Sequence, residues 1–260
     1  MRITRGKKLT TGVAAAALAF LPLTAVSAAD HVGAEIVVVH GVPGLEVDVL
    51  VDGAAAITGF EFGDVVKTTL PAGDYTFGVA ATGTTDAILE IEASLGAGLS
   101  ATIAAFLDTN GDPQLRAFVN ENGASGIQPF HLANFGAVDI LSGTTTVLGP
   151  VTNGQTARID VDGGTTVADV GIGAAGSGTA ALSLGDVTVA QNQLVLVYAI
   201  GPNTGDALPT VVTSSTNVGG VSVIPSGTGG GLDLLPLSLL LLAAGAFLFV
   251  APTAIARSRA

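Results

Sequence analysis

The chain of 260 residues has no cysteine and no tryptophan, a single methionine, and only nine Lys or Arg against 21 Asp or Glu. Without cysteine it has no disulfide staple, no thiolate nucleophile, no lipid-bearing cysteine anchor and no Cys-based zinc site. Charge of either sign is scarce, at 12% of residues, while 48% are hydrophobic. Disordered chains show the reverse balance, so this one folds and draws its stability from apolar burial. Helical periodicity is missing too. Between Glu35 and Pro202 no segment keeps an apolar repeat of 3.6 residues for more than a turn or two.

What is present at the two ends points to export and anchoring. Arg2, Arg5, Lys7 and Lys8 precede an apolar run from Val13 to Leu23 and the small residues Ser27, Ala28 and Ala29. That order predicts a secretory signal peptide over residues 1–29, and the absence of paired arginines makes general secretion the expected route. Residues 234–256 contain no charge. At ~1.5 Å per residue they are long enough to cross a hydrocarbon core of ~30 Å, which predicts one transmembrane helix within 232–256. Arg257 and Arg259 place the tail, 257–260, in the cytoplasm. The expected location is therefore the cell membrane, single-pass, with the bulk of the chain extracellular. Gly229, Gly230 and Gly231 before the apolar segment also resemble the hinge of sorting signals that are clipped after export, so retention and clipping both stay open.

Six of the nine basic residues belong to those ends, and all 21 acids lie between Asp30 and Asp233 with only Lys67, Arg116 and Arg158 as bases, formally −18. Such a surface repels phosphate backbones, which argues against nucleic acid and for cations or basic surfaces as partners. Simple solubility accounts for it equally well.

The exterior part alternates short Val-, Ile-, Leu- and Thr-rich runs with Gly, Asp, Asn and Pro, an all-β pattern. In residues 74–82 Tyr75, Phe77, Val79 and Ala81 share one face; in 88–95 Leu89, Ile91, Ala93 and Leu95 oppose Glu90 and Glu92. Residues 194–200, LVLVYAI, are apolar throughout, as suits a strand covered on both sides. The pattern also repeats. His40 with Asp48 in HGVPGLEVDVL returns as His131 with Asp139 in HLANFGAVDIL, 91 positions on; Gly73 falls on Gly164, and two further residues carry Gly78 onto Gly171. A period this long suits one small domain, which predicts two tandem Ig-like antiparallel β-sandwiches, at 30–126 and 127–202. Residues 203–231, rich in Thr, Ser, Gly and Pro, read as a stalk spanning ~30 Å as a coil and ~90 Å extended, with Val211 and Val212 able to finish a last strand.

The stretch H-x-x-P-x-x-x-x-D-V-x-V-D-G (40–53), F-G-D-V (62–65) and L-P-A-G-D-Y-T (70–76) resembles the bacterial domain-of-unknown-function family 4397, over roughly 35–202 as tandem copies. The resemblance implies exported β-sandwiches joined to a surface anchor and no established activity. It marks His40, Asp48, Asp52, Gly73 and Tyr75, with His131 and Asp139 in the second copy, as motif residues. The second copy lacks the Pro and the Tyr of the pattern.

Each His–Asp spacing suits an acid–base couple, since a carboxylate can orient an imidazole. A third partner is missing: there is no G-x-S-x-G elbow, and three histidines in all, one of them His31 near the mature terminus, fall short of a catalytic metal set. A strand-end imidazole hydrogen-bonded to a loop, copied by duplication, explains the pair with less. Asp48 and Asp52 are expected on a wet acidic stripe with Glu46 and Leu50, which could also gather with Asp64 or Asp74 to hold calcium. Asp108, Asn110 and Asp112 open like a calcium loop, yet Pro113 and Val119 stand where Gly and Glu are needed, so an Asn-Gly hairpin turn is expected. PAGDY (71–75) and DGG (162–164) read as turns with Gly at positive φ. G-x-G-x-x-G at Gly171, Gly173 and Gly176 lacks a following helix and fails as a dinucleotide loop. No catalytic residue and no cofactor is assigned. The expectation is a non-catalytic binding, adhesion or spacer protein of the cell envelope that engages polymers or surface proteins. An enzyme or enzyme accessory acting on wall polymers, and a calcium-dependent adhesin, are the alternatives.

Overall fold

The computed structural model describes residues 31–202, 209–219 and 222–224, which contain eighteen strands and no helix. The first eight are β1 (His31–His40), β2 (Val47–Val51), β3 (Ala54–Phe60), β4 (Val65–Leu70), β5 (Gly73–Ala81), β6 (Ala87–Leu95), β7 (Ser100–Leu107) and β8 (Pro113–Val119). One sheet runs β3-β2-β5-β6, all antiparallel; the other places β1 between β4 and β7, with β8 outside β7. The short turns follow from sequence. Asp52 and Gly53, at φ 51° and 77°, form the two-residue link of the β2–β3 hairpin, where two positive φ values match the twist of the strands.

The same pairing scheme then occurs a second time, in β9 (Gly126–Asn134), β10 (Val138–Ser142), β11 (Thr145–Val151), β12 (Gln155–Thr156), β13 (Ile159–Asp160), β14 (Thr165–Ala174), β15 (Leu182–Val189), β16 (Gln193–Pro202) and β17 (Thr210–Asn217). One sheet is β11-β10-β14-β15; in the other, β9 is flanked by the short pair β12 and β13 on one side and by β16, then β17, on the other. Finally β18 (Ser222–Ile224) pairs with residues 31–33 of β1, returning the chain to its first unit.

Two expectations need correction. The sheets are not antiparallel throughout, since β1 with β7 and β9 with β16 run parallel. Each of these pairs joins strands that are far apart in sequence, with the chain visiting the facing sheet in between, so no hairpin dictates their direction. The stalk expected over 203–231 is interrupted by a full strand, Thr210–Asn217, in register with β16, a longer version of the last strand that Val211 and Val212 were able to finish. Its alternation is masked because both faces are partly covered: Val211 packs on the core of the second unit, and Thr216 is buried against the first. The rest of the stalk apart from 209–219 and 222–224, the signal peptide, the transmembrane segment 232–256 and the tail lie outside the described residues. Among the described residues no helix is long and apolar enough to cross a membrane.

Three apolar cores result. The first, between the sheets of the N-terminal unit, contains Ile36, Val38, Val47, Val49, Phe77, Val79 and Ile103. The second, in the C-terminal unit, contains Ile127, Val138, Ile140, Ile172, Val197 and Ala199. The third lies between the units. There Val37, Val39, Phe106 and Phe118 meet Phe130, Leu132, Leu194, Leu196, Tyr198 and Ile200. Rings run through it in succession: Phe118 meets Phe130 edge-on at 5.6 Å, and Phe130 lies 4.7 Å from Tyr198. The apolar run 194–200 is thus covered on both sides because its alternate residues serve two different cores.

Polar groups fasten the same junction. The Thr102 hydroxyl donates to Asn120 Oδ1 at 2.8 Å, so the 2.9 Å contact with Tyr198 must use the tyrosine proton. Asn120 Nδ2 donates to Ser100 Oγ, which donates to Thr216 Oγ1 at 3.2 Å. Burial lifts the Tyr198 phenol well above its ordinary pKa, so it stays a donor. Lys67 Nζ donates to the Ser215 carbonyl at 3.1 Å and Arg116 to the Gly154 carbonyl at 2.6 Å. Arg158 donates to the carbonyls of Glu121 and Ala124 in the connector 120–125. These are all the basic side chains between Asp30 and Asp233.

A shared core makes unfolding cooperative, so calorimetry should resolve a single transition for both units. Tyr198→Phe should lower stability by ~1 kcal/mol by removing one buried hydrogen bond. Phe130→Ala should cost ~3–5 kcal/mol without splitting that transition. Two separate transitions in the unaltered protein would refute the shared core.

Candidate functional site

His40 closes β1, and its ring is buried where the chain turns toward β2. Nε2 lies 2.8 Å from the Leu45 carbonyl. A carbonyl only accepts, so Nε2 carries the proton and Nδ1 is left as an acceptor, which the amide of Val42 approaches at 3.5 Å. The ring stacks on Phe60 at 5.9 Å. Asp48, eight residues on, does not touch it. Its Oδ1 accepts from the Gly59 amide at 2.9 Å and its Oδ2 from the Gly83 amide at 2.8 Å. The histidine thereby clips the β1–β2 loop, and the aspartate ties the end of β3 to the β5–β6 turn.

The second copy repeats the arrangement. His131 Nε2 lies 2.8 Å from the Gly136 carbonyl, again five residues ahead, and Asp139 Oδ2 accepts from the Gly176 amide at 2.8 Å. The paired spacing noted in the sequence therefore records two loop clips and two strand ties. One difference stands out: His131 Nδ1 is buried and has no partner. Burial lowers the pKa of both rings. The Leu45 carbonyl and the charge of Asp64 oppose this at His40, and the backbone of Gly136 and Phe135 opposes it at His131. Both imidazoles are neutral near pH 7.

The expected wet stripe on β2 is corrected. Asp48 and Leu50 do lie on the face opposite Val47, Val49 and Val51, but both are buried. Leu50 pairs across to Gly78, and Leu141 pairs in the same way with Gly171. A Cβ at Gly171 would come within 2.5 Å of Ala180, and one at Gly78 within 3.2 Å of Ala87. Glycine at these two matched positions lets the outer face close. The acids proposed to gather with Asp48 are engaged elsewhere: Asp64 accepts from the Glu61 amide, and Asp74 accepts from the Ser94 hydroxyl at 2.5 Å.

Asp52 is exposed and ties the β2–β3 turn to β5 by accepting from the Thr76 amide. Tyr75 packs on the first core and donates to the Pro71 carbonyl at 3.0 Å. Burial, and then the nearby charge of Asp52, raise its pKa. Gly73 is the first residue of β5 and, unlike Gly164 at φ 87°, is not among the glycines at positive φ, so the turn expected to depend on it does not. Asp108, Asn110 and Asp112 form the β7–β8 hairpin: Asp108 Oδ1 accepts from the amides of Asn110 and Asp112, and Gly111 sits at φ 89°. Among the described residues no group of three or more His, Cys, Asp or Glu is placed to hold a metal ion. Gly171 and Gly173 lie within β14, and Gly176 follows it in a turn.

Sequence reasoning missed the buried polar set Ser100, Thr102, Asn120 and Tyr198. A signal existed, because Ser100 and Thr102 sit two apart in β7 and so share one face of an otherwise apolar strand.

Residues 34–141 match the family described as "Domain of unknown function (DUF4397)". The match starts in β1, covers the rest of the first unit, and runs through β9 into β10. No curated protein matches the chain.

Asp48→Ala leaves two backbone amides without acceptors and should cost ~2–3 kcal/mol in urea unfolding. The depressed imidazole pKa values mean that the unfolded chain binds more protons than the native one just below 6.5, so stability is complete above that pH and falls as pH drops beneath it. The melting temperature should therefore fall between pH 7.5 and 5, and a His40→Gln, His131→Gln double variant should flatten that part of the profile. An unchanged slope would show that the rings do not carry it.

Proposed function

We propose that this is an exported, membrane-tethered protein whose two immunoglobulin-like sandwiches, the second a further copy of the matched domain, act as one stiff non-catalytic spacer or binding module at the cell envelope. The observation that carries this reading is the junction. A connection between independently moving domains is expected to be small and polar, whereas here an apolar core and every basic side chain of residues 30–233 are committed to it. With only Lys67, Arg116 and Arg158 against 21 acids between Asp30 and Asp233, the formal side-chain charge of this part is strongly acidic. That supports a role facing basic or cation-rich surroundings and opposes contact with nucleic acid or anionic head groups.

The histidine and aspartate motif supports scaffold over chemistry. Both oxygens of Asp48 are taken by backbone amides, and each histidine spends its Nε2 proton on its own loop. The signal-like start, the uncharged segment 234–256 and Arg257 and Arg259 supply the orientation, with the two units outside.

The test is topological. Intact cells treated with an impermeant protease should lose the 31–224 portion, while a fragment bearing residues 232–260 stays with the membrane. Full protection of the chain in intact cells, with cleavage only after lysis, would overturn the proposal.

A further inference from the structure

Strand direction gives each unit two ends. In the first, β1 and β7 begin at one end and His40 closes the other; in the second, β9 and β16 begin at one end and His131 lies toward the other. The junction joins like to like. At the starting ends, Ser100 Oγ, in the first residue of β7, donates to Thr216, which pairs with Leu194 of β16. Gln128 in β9 donates there to the carbonyl of Val119, which pairs with Ala101. At the histidine ends, Asn153 Nδ2 donates to the carbonyls of Leu107 and Ala133, close to the last residues of β7 and β9, at 2.9 and 2.6 Å. The two sandwiches therefore lie side by side and aligned. The pair is one unit tall, ~30 Å along the ten residues of β1, and not two units long.

The chain also leaves by the starting ends. β17 runs from Thr210, opposite Ile200, to Asn217, opposite Gln193, and so returns to the level where β16 begins. The Gly219 amide then donates to the Asn122 carbonyl of the connector at 2.9 Å. Beyond it Ser222–Ile224 pairs antiparallel with Gly33, Val32 and His31, which precede the part of β1 that pairs with β4 and β7. After Ile224 the chain is thus directed away from both units. Only residues 225–231 separate it from the segment that starts at 232. Seven residues span at most ~25 Å, against the ~90 Å open to an extended stalk over 203–231.

Resting on the membrane-tethered reading above, we propose that the two units stand side by side over the bilayer with their starting ends toward it, and that the histidine ends form the face presented outward. The connector 120–125 and the turn 96–99 then lie on the membrane side. The outward face is built from the loops 41–46 and 135–137 that the histidines clip, together with the hairpin 108–112 and the turn 175–181. Both units contribute to it at one level, one sandwich height above the tether. An envelope polymer or surface protein engaged from outside meets this face first.

The chain has no cysteine, so single introduced cysteines can each carry a donor dye. The sites are exposed: Ala97→Cys and Ala190→Cys at the starting ends, Thr109→Cys and Ala175→Cys at the histidine ends, with Asp162→Cys and Thr85→Cys to replace any variant that fails to fold. Each full-length variant is assembled into nanodiscs of phosphatidylcholine, whose head groups carry no net charge, with an acceptor dye on a small share of the head groups. Energy transfer at the starting end should exceed that at the histidine end about twofold or more in each unit, given ends ~30 Å apart. Equal transfer at the two ends of either unit, or one unit near the lipid at both ends and the other far at both, would overturn the orientation while leaving the tether standing. A protein that does not co-purify with the discs would overturn the tethered reading, and this inference with it.

Discussion

Burial of both faces of the sheet formed by β1 and β7, and of its counterpart in β9 and β16, is the constraint on which the rest depends. A sandwich needs to hide only the inner face of each sheet. Here the outer faces of one sheet from each unit are apolar as well, with Val37, Val39 and Phe106 on one side and Phe130, Leu196 and Tyr198 on the other. Exposed, they would form a patch that water disfavours. Packed against each other they become a third core, and the relative placement of the units is set by the same packing that sets each fold.

That choice brings polar groups into the interior, and they are matched in pairs. Thr102, Asn120, Ser100 and Thr216 form a hydrogen-bonded chain, with Tyr198 entering as a donor. A half-satisfied network would weaken the junction more than an apolar one would. At the edges, Lys67, Arg116 and Arg158 donate to carbonyls that strands and turns leave free. The three Lys and Arg side chains between Asp30 and Asp233 thus all donate to carbonyls where the units or their connector meet.

The repeated pairing scheme lets each unit serve as a control for the other. The loop clip by histidine, the strand tie by aspartate and the glycine under a buried leucine occur in both copies at matched positions. Devices kept in both belong to the scaffold. The copies part where Phe60 in the first is matched by Val151 in the second, and Leu115 by Val211.

Much of this was settled by residue order alone. Alternation of apolar side chains specified strands, as in β6, where Leu89, Ile91 and Ala93 turn inward and Glu90 and Glu92 outward. Asp-Gly and Asn-Gly specified the hairpins at 52–53 and 110–111, and the 91-residue echo announced two like units. These are local properties, fixed by the two-residue period of a strand and by the few backbone shapes a turn permits. Other features were decided only in three dimensions. Asp48 is wet by period and buried in fact, because the end of β3 and the distant β5–β6 turn close over it. Residues 210–217 carry no clear alternation because their two faces answer to two cores. The junction itself has no local signature: an apolar outer face becomes a core only when another sheet arrives to cover it, and which sheet arrives is a matter of long-range packing.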